Sequence, residues 1–183
     1  MPRAFLPYTV LYFVMAIWLV YILDLVLIGV DLDQFGIRPR TLTHIPSILL
    51  SPFLHSNLYH LLSNTVAILI LGILVNMSVG NIRLRQIMMG GAIGSGIGIW
   101  LFSASGLVIG ASGIVFSLLG FLLANAACNP TIRSWVAAIV AFLAYGGTLF
   151  SFAHFLPHIS WAAHFWGFLS GILLAALFKK QST

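Results

Sequence analysis

Charge is what this chain has least of. Only eleven of its 183 residues are Asp, Glu, Lys or Arg, three of them acidic, while 61% are apolar. Ordinary soluble domains carry roughly a quarter of their residues charged. So few charges cannot keep so much apolar surface dispersed in water, so lipid must cover it. Cysteine is scarce too: Cys128 stands alone, which excludes an internal disulfide and a cysteine-based metal cluster. The net charge of +5 is spread over basic residues that occur singly or in pairs. No basic stripe interleaved with aromatics exists, so no nucleic-acid partner is expected. The length leaves room for one compact membrane domain, 1–183, and no appended soluble one.

A bilayer asks for about 20 apolar residues per helix. The opening MPRAFLPYTV has Arg3 ahead of an apolar stretch, as a signal peptide does. That stretch runs on to Asp31 without a small-residue cleavage site and reads as a retained span. The expected spans are 8–30, 53–79, 86–102, 112–128, 134–152 and 160–178. The break between the third and fourth is forced by length, because Gln86 to Cys128 is about twice one crossing and SASGLVIGASG interrupts it. The fold class is therefore all-α, a six-helix membrane bundle with both termini on one side. That side holds Arg3, Arg83, Arg85, Arg133, Lys179 and Lys180; the other has only Arg38 and Arg40, offset by Asp31 and Asp33. The positive-inside tendency makes the termini cytoplasmic. Asp24 sits inside the first span with no partner evident from sequence.

With that orientation, spans two, four and six enter from the outer face. His60, Asn64, Ser112 and His164 each fall in the outer part of one of them. In Gly110-Ala111-Ser112-Gly113, glycine on both sides of Ala-Ser permits close backbone approach and unusual dihedrals. A serine at a helix N-terminus lies among unpaired N–H groups that favour developing negative charge. Taken alone, the tetrapeptide fits close helix packing as well as catalysis. His164 changes that balance, because an intramembrane histidine is a functional-site hypothesis by default. Gly167 and Gly171 follow it at i+3 and i+7, opening that helix face to close approach.

His60 and Asn64 are spaced i,i+4 and share a helix face. They are either oxyanion donors, worth about 3 to 4 kcal/mol each in other hydrolases, or helix-packing glue worth about 1 kcal/mol each. His55 and Asn57 are expected nearer the surface, as interfacial or structural residues. No acidic residue is available to orient His164, so a Ser-His-Asp triad gives way to a Ser112–His164 dyad. A hydrolytic zinc is not expected, because His60 and Asn64 lack a carboxylate or cysteine partner. The series Gly90, Gly94, Gly98 reads as a close-packed face of the third span.

These residues closely resemble the rhomboid family of intramembrane serine proteases. The resemblance runs from about Ser51 to Gly171 through SPFLHSNLYHLLSN, GASG and AHFWGFLSG, in the order and spacing of a six-span family core. It implies hydrolysis of peptide bonds in or beside the transmembrane segments of protein substrates, with no cofactor. Ser112 matches the family nucleophile and His164 its general base. His60 and Asn64 match the oxyanion-side residues, and Gly110 the glycine of the nucleophile motif. Three departures stand out. Pro46-Ser47 occupies the place of a frequent Trp-Arg pair, and Gly72, Asn76 and Gly80 that of a Gly-xxx-Glu-xxx-Gly pattern. Phe116 replaces a tyrosine that often stacks on the histidine, and can stack without the hydroxyl.

The alternative is a catalytically silent rhomboid-like protein that binds transmembrane segments, against which the intact Ser112 and His164 argue. A transporter ranks third, because no half-to-half repeat is visible. The expected location is a prokaryotic plasma membrane, with the active site toward the outer face.

Overall fold

A computed structural model of the chain describes residues 6–27, 29–104, 106–152 and 161–179. Seven α-helices appear among them: α1 (Tyr8–Val26), α2 (Ser47–Leu50), α3 (Leu58–Val79), α4 (Asn81–Phe102), α5 (Ser112–Cys128), α6 (Ile132–Tyr145) and α7 (Trp161–Leu177). Short 3-10 turns cover Leu32–Phe35, Leu42–His44, Ser51–Phe53 and Gly146–Phe152. No strand forms among the described residues; an isolated antiparallel bridge joins Ile37 and Val108. Three helical stretches are long and apolar enough to cross a membrane, Tyr8–Val26, Leu58–Val79 and Ile132–Phe150.

Several helix limits differ from the sequence expectation, each for a local reason. α1 stops at Val26 rather than Val30, and Gly29 takes a positive φ of 82° just beyond it. The Asp24 side chain finds its partner there, accepting the Leu32 N–H at 2.7 Å. α3 starts at Leu58, five residues later than 53, because Asn57 caps it by accepting the His60 N–H at 2.9 Å. α4 starts at Asn81 rather than 86. Gly80 alone turns the chain, with φ 89°, so Arg83 and Arg85 lie inside the helix. α6 ends at Tyr145, and Gly146-Gly147 opens the 3-10 stretch in place of the last α-turns. Residue 160 lies outside the described residues.

α5 is the hub. Twelve of its 17 residues are buried, including an unbroken run from Gly113 to Leu122, as expected of a helix apolar all round. It packs against α7, α4, α6 and α3. α1 lies at the edge on α3, burying only Val10 and Ile17. Its Trp18 indole donates to Thr65 Oγ1 at 3.2 Å. The glycine series of α4 receives α7 in antiparallel register: Gly90 faces Leu174, Gly94 faces Ser170 and Gly98 faces Trp166. The two ends of the bundle are chemically distinct. Thr9, Asn81, Arg83 and Phe178 meet at one end, where Arg83 stands 4.0 Å from the Phe178 ring centroid. His55, His60, His164 and the head of α5 occupy the other.

Candidate active site

The loop before α5 sets the site. Gly110 has φ 108°, a conformation that penalises any Cβ. Its N–H donates to the Ser51 carbonyl at 2.9 Å. A Cβ built on Gly110 would lie 2.5 Å from His60 Cε1, 2.6 Å from Nε2 and 3.7 Å from Asn64 Nδ2. Glycine here therefore lets the His60 ring rest on the backbone one residue before the N-cap Ala111. Intrahelical bonding begins with Ile114 and Val115, whose N–H groups both reach the Ala111 carbonyl. The N–H groups of Ser112 and Gly113 thus head the helix, where negative charge is favoured.

Asn64 is one turn below His60 and 5% exposed, and its Nδ2 is buried without a hydrogen-bond partner among the described residues. An amide left so beside the head of α5 is unusual, because buried donors are nearly always paired. It suits an acceptor that arrives with a ligand.

α7 supplies the other wall. The His164 ring stacks on Phe116 with centroids 4.2 Å apart and planes 17° from parallel. Phe116 and Ser112 are i,i+4 on α5, so the imidazole lies against the helix face that Ser112 heads. Both His164 and Ser112 are half-buried. Backbone contact holds this wall. A Cβ on Gly167 would run into the Gly113 carbonyl, and one on Gly171 into the Ser117 carbonyl and, at 2.7 Å, the Phe121 nitrogen. Gly113 is pinched between Ser95 of α4 and the Ala163 carbonyl, the latter 3.7 Å from a built Cβ.

The structure thus brings His60, Asn64 and Gly110 together on one side of the α5 head. Phe116, His164, Gly113, Gly167 and Gly171 lie along the α5–α7 contact. His55 differs from the sequence expectation. It is 3% exposed rather than near the surface, and its ring meets that of His60 edge-on at 5.0 Å. Both of its ring nitrogens lack a partner among the described residues. In this loop ahead of α3, burial first and the His60 charge second push the His55 pKa down to about 4. The Phe53 backbone, nearby but outside hydrogen-bonding geometry, opposes the shift. A helical periodicity could not reveal this contact, since positions five apart do not share a face and the Asn57 cap bends the chain between them. His154 and His158, expected in the last outer loop, lie outside the described residues.

The family model for the rhomboid domain matches residues 42–181. An uncharacterized protein of Mycobacterium tuberculosis is 33% identical over 181 residues, covering 92% of this chain and 73% of that protein. RHOMBOID-like protein 1 of Arabidopsis thaliana is 32% identical over 126 residues, covering 69% of this chain and 32% of its own. RHOMBOID-like protein 4 of the same plant is 34% identical over 122 residues, covering 67% and 31%.

Proposed function

The chain belongs to the rhomboid family, and on that premise we propose that it is an intramembrane serine endopeptidase working through a Ser112–His164 dyad. The family includes intramembrane serine proteases, and membership together with the apolar helices marks an integral membrane protein. We take the whole chain as one transmembrane domain of six crossings: α1, α3, α4, α5, α6 with its 3-10 extension, and α7. Both termini lie in the cytoplasm, and the histidine-bearing end faces outward, in the plasma membrane of a prokaryote. The substrates are transmembrane proteins, cut in or beside their membrane segments.

In the reaction, Ser112 Oγ attacks the scissile carbonyl carbon while its proton passes to His164. The charge that develops on the carbonyl oxygen is taken by Asn64 Nδ2, the His60 ring and the N–H groups heading α5. His164 returns the proton to the leaving amine, and the peptide C–N bond breaks. Water from the outer end then attacks the acyl-enzyme, gives its proton to His164 and frees the Ser112 hydroxyl. The Phe116 ring keeps the imidazole flat against α5 throughout.

What carries this assignment is the Asn64 amide, buried and without a partner among the described residues, beside the head of the helix that begins at Ser112. A packing role would have paired that donor; transition-state binding leaves it waiting. The test is cleavage of a tagged single-span protein by the purified chain in lipid vesicles. Wild type should release two fragments, and Ser112→Ala and His164→Ala should each fall by about 10³-fold or more. Binding of the substrate by wild type without any fragment would replace the proposal with a non-cleaving role.

A further inference from the structure

The loop that ends at Ser112 is tied at its far end by a residue the chemistry above does not use. Arg40 sits in the segment between α1 and α2, more than sixty positions from the carbonyls it grips. Its Nη1 donates to the Ser103 and Leu101 carbonyls at 2.8 and 3.3 Å, and its Nη2 to the Ala104 carbonyl at 2.7 Å. Those carbonyls close α4, where helix bonding leaves oxygens unpaired and a cation is favoured. Arg40 also has φ 54°, a left-handed conformation that no other non-glycine adopts among the described residues. Side chains held there tend to mark imposed geometry.

The clamp continues along the loop. The Arg40 N–H donates to the Trp100 carbonyl at 2.9 Å, and the Trp100 indole donates to the Thr41 carbonyl at 3.1 Å. Ile37 and Val108 exchange both backbone bonds, at 2.9 and 3.0 Å. Gly36 admits this approach, since a Cβ there would stand 2.6 Å from Ile109 Cγ2 and 2.9 Å from Leu107 Cγ. The last tie is Gly110 to Ser51, two residues from the serine. The loop from α4 to α5 is therefore held at its start, middle and end, and three of the bonds at its start come from one guanidinium.

We propose that Arg40 is a positioning residue for the reaction: its fork clamps the loop so that Gly110 and the head of α5 stay in register with His60 and Asn64. The catalytic part of this rests on the protease assignment above; the clamp itself does not. A lysine keeps the charge but lacks the planar fork that spans several carbonyls. Arg38 is the control: like Arg40 it is exposed, but its guanidinium makes no hydrogen bond among the described residues, and only its carbonyl is engaged, accepting the Thr41 N–H at 3.3 Å.

The experiment compares full-length wild type, Arg40→Ala, Arg40→Lys and Arg38→Ala in lipid vesicles by two readouts. Amide hydrogen exchange at Val108 and Gly110 should speed up about tenfold or more in Arg40→Ala, with α5 itself unchanged. Cleavage kcat should fall about 10- to 100-fold with KM within about twofold, the signature of displaced reacting groups rather than lost binding. Arg40→Lys should fall between, and Arg38→Ala should match wild type. Unchanged exchange in Arg40→Ala overturns the clamp. A loss confined to KM, or an equal loss in Arg38→Ala, overturns its positioning role. Should Arg40→Ala fail to fold, Arg40→Lys decides by the same readouts. A wild type that cleaves nothing sinks the protease assignment instead, and exchange still judges the clamp.

Discussion

Two seams meet the central helix, and they are made of different material. Between α5 and α7 the contact is glycine on carbonyl from both sides: Gly167 of α7 lies on the Gly113 carbonyl, Gly171 of α7 on the Ser117 carbonyl and Gly120 of α5 on the Phe168 carbonyl. Against the bundle, α6 offers Ser134 and the methyls of Ala137, Ala138 and Ala141, and no glycine lies between Ile132 and Tyr145. Its other face is apolar and exposed, with Trp135, Val136, Ile139, Phe142 and Leu143 outward. In lipid there is little hydrophobic gain from joining helices, so backbone proximity sets how firmly they hold. The α5–α7 seam is thus the fixed one, and it carries the serine on one side and the histidine on the other. The α6 seam has no such glycine contact.

Breaking the fixed seam has the largest expected effect. Gly167→Leu would drive a side chain into the Gly113 backbone. It should cost on the order of 3 kcal/mol, read as a lowered unfolding midpoint in mixed micelles, and should abolish cleavage. Next comes a variant that separates chemistry from packing. Asn64→Ala should lower kcat about 100-fold while leaving the unfolding free energy within about 0.5 kcal/mol, because the amide Nδ2 has no partner to lose among the described residues. A matching loss of stability would instead make Asn64 a packing residue. The smallest effect belongs to the outer face of α6. Leu143, 78% exposed, should tolerate alanine within about 0.5 kcal/mol. A larger cost would mean that this face is covered by something and that the two seams are less unlike than they look.

Legibility in the sequence followed local punctuation. α5 runs from Ser112 to Cys128 as its flanking GASG and CNP signals require, because glycine and proline act on the chain directly. The starts of α3 and α4 were harder to read, since one depends on an Asn57 side-chain cap and the other on a single Gly80 turn that draws Arg83 and Arg85 into the helix. At the site, His60 and Asn64 share a helix face, so their pairing follows from spacing. His55 and Arg40 were invisible for the opposite reason. Their partners come from a backbone reversal and from carbonyls some sixty residues away, and no periodicity records either.

Activation of the Ser112 hydroxyl at the head of α5 by the His164 imidazole is read by the rate of covalent fluorophosphonate labelling in membranes, with the modified residue located by mass spectrometry. Activation by His164 predicts label on Ser112 in wild type and almost none in His164→Ala, despite an unchanged unfolding midpoint. Label that persists in Ser112→Ala, or that forms equally fast without His164, would contradict it.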